Sequence, residues 1–191
     1  MQKEDLRVRK TKKALADAFF ALLNEKSFED ITINELCARA DVRRATFYKH
    51  YTDKFNFLMS YTKSLRDRFD NLIWRFEKPD NTAKYYIAYA KRVVTFISEN
   101  EQLIDNFVRS DLLPICYSII VEQNYLDTRD RLEKSVGAGM KLCASVDSVA
   151  RMCAGGVGEI LFAWVKSDRK QDADELAEEV GALVSALLCN N

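Results

Sequence analysis

Residues 31–51 read ITINELCARADVRRATFYKHY. The stretch parses as two short helices around a tight turn: residues 32–39, the turn Ala40-Asp41-Val42, and a second helix from Arg43 to about His50. Ile33, Leu36, Cys37, Ala40, Val42 and Phe47 recur at spacings that turn them to inward faces. Thr32 is a good N-cap, and Glu35 three residues on completes the sequence pattern of a capping box. The second helix carries Arg43, Arg44, Thr46, Tyr48, Lys49 and His50, side chains that hydrogen-bond to phosphates and base edges. A short cationic helix after a tight turn is the pattern of a helix-turn-helix whose second helix enters a DNA major groove.

Outward from that stretch, helical periodicity fills almost the whole chain. Six Gly and two Pro in 191 residues leave few breakers, and strand-like alternation is nearly absent. Residues 1–8 read as a flexible basic arm. A first helix is expected over 9–25, with Leu15, Ala18, Phe19, Leu22 and Leu23 as its stripe, and Phe28 in the exit loop is expected to plug the core beneath the helix pair. Thr52 caps a long helix ending near Phe76. Further helices are expected over 82–99 and 102–108, then one opened by residues 110–114 and reaching about Val136, in which Pro114 fits the first turn if Asp111 is the cap, and over 146–167 and 173–188. Gly155 and Gly156 fall in mid-helix, where each costs roughly 1 kcal/mol against Ala. That cost suggests close approach of another helix, and the pattern leaves open whether the neighbour lies in the same subunit or in a second one.

Formal net charge is zero, but its distribution is uneven. Lys3, Arg7, Arg9, Lys10, Lys12 and Lys13 crowd the N-terminus, and Arg39, Arg43, Arg44, Lys49 and Lys54 surround the helix pair. For a nucleic-acid binder this clustering matters more than the total. The five cysteines, Cys37, Cys116, Cys143, Cys153 and Cys189, have no zinc-finger or C-x-x-C spacing and read as small buried hydrophobes in a reducing cytosol. No metal, cofactor or catalytic group is expected. His50, the sole histidine, has no nucleophile or acid partner nearby in sequence. The charged N-terminus is not a signal peptide, and no run of about 18 apolar residues suggests a membrane span. A cytoplasmic protein is expected.

Two runs carry a specific resemblance. KTKKALADAFFALLNEKSFEDI at 10–31 and TINELCARADVRRATFYKHYTDK at 32–54 closely resemble the DNA-binding signature of the tetracycline-repressor (TetR) family of bacterial transcription regulators. In outline, GGVGEILFAWVK at 155–166 and ELAEEVGALV at 175–184 look like the last two helices of many members. The resemblance implies an all-α protein with an N-terminal three-helix head (residues 1–52) joined to a C-terminal helical ligand-binding and dimerisation domain (residues 53–191). It implies a homodimer on a pseudo-palindromic double-stranded operator, most simply a ligand-responsive repressor. Rival readings are a regulator gated by a protein partner or by thiol oxidation, and a helical interaction module without DNA function.

Carried over by position, the resemblance puts base contacts among Arg43, Arg44, Ala45, Thr46 and Tyr48. Phosphate contacts fall to Thr32, Tyr48, Lys49, His50 and Lys54. Two positions depart from the family: Asp41 stands where a turn Gly is usual, and Arg43 where a capping Ser is usual. Asp tolerates the left-handed conformation, whereas Arg cannot cap. For a small apolar or aromatic ligand the candidate lining is Tyr85, Tyr89, Phe96, Phe107, Tyr117 and Phe162, although such helical spacing is more often plain core. The candidate dimer seam is Val149, Cys153, Gly156, Ile160 and Trp164 with Val180, Leu183, Val184 and Leu187.

Overall fold

A computed structural model describes residues 6–108, 110, 112–167, 169 and 171–188. Among them lie nine helices and no strand: α1 Leu6–Glu25, α2 Ile33–Arg39, α3 Arg44–Tyr48, α4 Lys54–Phe76, α5 Thr82–Glu99, α6 Glu101–Val108, α7 Leu113–Gly137, α8 Val146–Lys166 and α9 Ala173–Leu188. The all-α expectation holds. Helix α1 starts at Leu6, so the end of the expected basic arm is already helical. The rest of that arm with Lys3, the Asp111 cap and Cys189 lie outside the described residues.

The chain forms two compact units. The first comprises 1–61 and 100–113, the second 62–99 and 114–191. The first unit is therefore larger than the expected 1–52 head. Its core is built on Phe19, whose ring meets Phe57 and Tyr61 edge-on at 5.1 Å and Phe28 at 6.0 Å. The start of α4 thus belongs to the same packing unit as α1. Helix α6 joins it through buried Leu103 and Ile104, and Asn106 Nδ2 donates to the Leu23 carbonyl at the end of α1 (2.9 Å).

In the second unit α5 and α9 form the most extensive contact, and α8 packs on both. Gly158 of α8 and Gly181 of α9 are the positions where neighbours crowd the backbone: a Cβ on Gly158 would stand 2.7 Å from Val121 Cγ2, and one on Gly181 would collide with Ile87. Around Gly155 and Gly156, which the sequence singles out, no atom of the described residues beyond the chain neighbours and the helix's own backbone lies within 4 Å of where a Cβ would stand. Close approach within the subunit therefore does not account for them. Helix α8 is long and apolar enough to cross a membrane by length and composition, a candidate that the sequence reading passed over. Here Val149, Ala150, Cys153, Ala154, Val157, Leu161 and Trp164 bury one of its faces in the second unit.

A polar network runs through the core of that unit. Arg66 of α4 is 6% exposed, pairs with Asp127 of α7, and donates from Nε to Asn124 Oδ1 (3.3 Å) and from Nη2 to the Tyr85 hydroxyl (3.4 Å). The Arg131 guanidinium stacks 3.6 Å from the Tyr85 ring centroid, and the Tyr86 and Thr128 hydroxyls bond at 2.7 Å. Burial raises the Tyr85 and Tyr86 phenol pKa values, keeping both neutral.

Candidate nucleic-acid interface

The Thr32 side chain accepts from the Glu35 amide (3.2 Å), forming half of the expected capping box. The other half is replaced: the Glu35 carboxylate takes Lys26 Nζ at 2.6 Å on both oxygens. A second ion pair, Arg39 to Glu25 at 2.6 and 2.8 Å, also joins α2 to the end of α1. The hydrogen bonds from Arg39 hold the Glu25 carboxyl below its ordinary pKa. Both pairs are 9 or 14 residues apart in sequence, too far for local spacing to reveal them.

The turn keeps its geometry without glycine. Asp41 adopts φ 52°, in the left-handed region that Asp tolerates, and the Val42 amide donates to the Cys37 carbonyl (2.9 Å). Arg43 occupies the N-cap of α3 with extended backbone and no side-chain capping bond, as the sequence leads one to expect. What fixes this five-residue helix is its underside. Phe47 is fully buried, with rings of Tyr51 at 5.4 Å and Phe57 at 5.9 Å.

Arg43, Arg44, Ala45, Tyr48 and Lys49 are exposed; Thr46 and His50 are half-buried, and Thr32 is exposed at the start of α2. Most of the nominated side chains on and beside α3 are thus open to solvent, with Thr46 and His50 only partly so. Arg44 Nη2 donates to the Tyr48 hydroxyl (3.4 Å), and its guanidinium lies 5.7 Å from that ring's centroid. Each side chain restricts the other before any partner arrives. Lys54 differs: its ammonium is turned inward, onto carbonyls of the α1–α2 loop. The cap of α4 is Asp53, where Thr52 was expected; Asp53 Oδ1 accepts from the Phe55 and Asn56 amides, both at 2.8 Å.

The six aromatic residues nominated for a ligand lining separate into local groups. Tyr85 and Tyr89 are buried and stack at 6.1 Å. Tyr117 and Phe162 pair at 4.7 Å, Phe96 meets Phe69 at 5.4 Å, and Phe107 belongs to the first unit. A surface groove of about 450 Å³ in the second unit is lined instead by charged residues including Lys78, Asp80, Lys84 and Lys91.

Of the nominated dimer seam, Val149, Cys153, Trp164, Val180 and Val184 are buried within their own subunit. These five form core and do not offer a surface. Gly156 and Leu183 are exposed, and Ile160 and Leu187 are half-buried. On α8, Gly156 and Ile160 fall by helical spacing on one face with Met152, which is 59% exposed, and Ala163; on α9, Leu183 and Leu187 fall on one face. The sequence showed apolar stripes on both helices but not which edge of each stripe faced inward.

Among the cysteines, Cys37, Cys116 and Cys153 are buried and Cys143 is exposed. Burial raises all three buried thiol pKa values, that of Cys153 to about 11, which disfavours the reactive thiolate.

A three-helix head whose third helix is exposed and cationic defines the helix-turn-helix class. Residues 15–58 match the family of bacterial regulatory proteins, tetR family. A curated relative, the uncharacterized HTH-type transcriptional regulator YxbF of Bacillus subtilis (strain 168), is 42% identical over 57 residues. That match spans 29% of this chain and 15% of the relative's length. A TetR-family regulator from Syntrophomonas wolfei has a similar fold over 94% of this chain and 95% of its own (TM-score 0.70, 17% identity). The regulator FadR of Bacillus subtilis, solved with stearoyl-CoA, is similar over 90% of this chain and 96% of its own (TM-score 0.65, 19% identity). The head over residues 15–58 is thus of the tetR family type, and over nearly its whole length the chain is similar in fold to TetR-family regulators.

Proposed function

We propose that the protein is a sequence-specific transcription regulator that binds a pseudo-palindromic operator as a homodimer. The observation that carries the reading is the outward face of α3, where Arg43, Arg44, Tyr48 and Lys49 are exposed above a fully buried Phe47. Base-edge contacts come from Arg43, Arg44, Ala45, Thr46 and Tyr48. Tyr48, Lys49, His50 and Thr32 hold phosphates. An arginine bidentate on guanine contributes about 1–3 kcal/mol of discrimination, and the phosphate contacts make binding salt-dependent. A two-fold dimer places half-sites about one helical turn apart or a multiple of it. The partner copy covers the outer face of α8 and α9 around Met152, Gly156, Ile160 and Leu183, because Gly155 and Gly156 are left open by this subunit's own packing.

Repression in the cytoplasm, relieved by a small molecule bound in the second unit, completes the reading. FadR was solved with stearoyl-CoA, which supports a ligand-binding body on this fold. A ligand acts only through its differential affinity for the DNA-competent and incompetent states. Selection from a random duplex pool tests the reading. A regulator enriches a two-fold symmetric sequence, whereas a helical interaction module enriches none.

A further inference from the structure

Lys54 carries an inference about how the head is held together. Its Nζ donates to the carbonyls of Phe28 (3.2 Å), Glu29 (2.9 Å) and Ile31 (3.3 Å), and lies 4.7 Å from the Phe28 ring centroid. A lysine ammonium has three donors and no more. Three acceptors and an aromatic face therefore occupy the group completely. Those carbonyls belong to the loop that ends at Thr32, the N-cap of α2, while Lys54 opens α4. The buried side of the same junction is filled by Phe28, whose ring meets Phe55 at 5.4 Å.

We propose that Lys54 is a positioning residue of the head and not a phosphate contact: it ties the α1–α2 loop to the first turn of α4 and so fixes the entry of α2. This rests on the DNA-binding reading above. A loop whose carbonyls converge on one cation is set in a single conformation. Helix α2 leaves that loop and holds α3 through the turn at Asp41. Loosening the loop therefore blurs the placement of Arg44 and Tyr48 without removing a charge from the interface. The two roles differ in salt dependence. Removing a phosphate contact makes the plot of log affinity against log salt shallower by about 0.9 for B-DNA. Removing a positioning residue lowers affinity at every salt concentration and leaves the slope as it was.

The test measures binding of the full-length protein to the duplex that wild type selects, across a salt series, well below the unfolding midpoint of each variant. Lys54→Met is expected to lose affinity several-fold with an unchanged slope, and Lys54→Arg, whose guanidinium also reaches several carbonyls, to recover most of it. The Ile31 amide, bonded to the Phe28 carbonyl at 3.1 Å, is expected to exchange faster in Lys54→Met than in Lys54→Arg. Should Lys54→Met not fold, Lys54→Gln, which keeps two donors, is read by the same slope. A shallower slope overturns the proposal in favour of a phosphate contact. Unchanged affinity in a folded Lys54→Met overturns it in favour of a purely structural bond. Failure of wild type to select any duplex instead overturns the DNA-binding reading itself.

Discussion

Gly181 of α9 lies so close to Ile87 of α5 that a Cβ at this position would collide with Ile87 Cγ1 and Cδ1. The α5–α9 contact is the most extensive in the second unit, so a methyl group there has to displace the half-buried Ile87 side chain or part the two helices. Overpacking of this kind typically costs about 1–3 kcal/mol. Gly181→Ala is expected to lower the thermal midpoint despite alanine's better helix propensity. Ile87→Ala is expected to rescue part of the loss by making room. Thermal unfolding of the single and double variants checks this.

Gly156 is the opposite case, because among the described residues no other element stands within 4 Å of where its Cβ would lie. If a second copy covers the outer face of α8 and α9, Met152→Asp with Leu183→Glu is expected to give a folded monomer, since both side chains are exposed within one subunit. Sedimentation velocity reads the mass, and circular dichroism reads the retained helix. An unchanged dimer would place the interface elsewhere.

Arg66 is buried against Asp127, Asn124 and Tyr85. Removing the arginine strands the Asp127 carboxylate, and breaking a buried pair costs about 3–5 kcal/mol. Asp127 is 40% exposed, so Arg66→Ala is expected at or below the lower end of that range. Asp127→Asn, which keeps an acceptor for Arg66, is expected to cost less. Denaturant unfolding of both variants and their double mutant gives the coupling.

Asp53 predicts a pH dependence. The Asn56 and Phe55 amides, with the Thr52 hydroxyl, hold its carboxyl below the ordinary 3.8. A depressed folded pKa means stability that is present above the unfolded value and is lost as pH falls through the folded one. Asp53→Ala is therefore expected to lower the melting temperature at neutral pH. The gap from wild type should close at pH values below 3.8, which a series of melting curves at stepped pH measures.

Most of the fold was legible because its signals are local. The helix bounds of α5 and α9 follow from periodicity between breakers, and the turn at Asp41 from one residue's tolerance of positive φ. What escaped depends on three dimensions. The inward turn of Lys54 requires knowing that the α1–α2 loop folds back on α4. The inner faces of α8 and α9 depend on which side α5 covers. Arg66 lies four residues from Thr62 and three from Phe69 along α4, a spacing that puts it beside them on one helix side, but its partner Asp127 is 61 residues away.

The central claim is that α3 reads DNA through Arg44 and Tyr48. Its most direct measurement is a titration of the selected duplex at low and moderate salt with wild type and with Arg44→Ala plus Tyr48→Ala. Both side chains are exposed, so the double variant is expected to keep its fold. Wild type is expected to bind with a steep salt dependence, and the variant to lose about 1–3 kcal/mol or more of specific affinity with its sequence preference relaxed. Equal and weak binding by the two proteins at low salt would contradict the account.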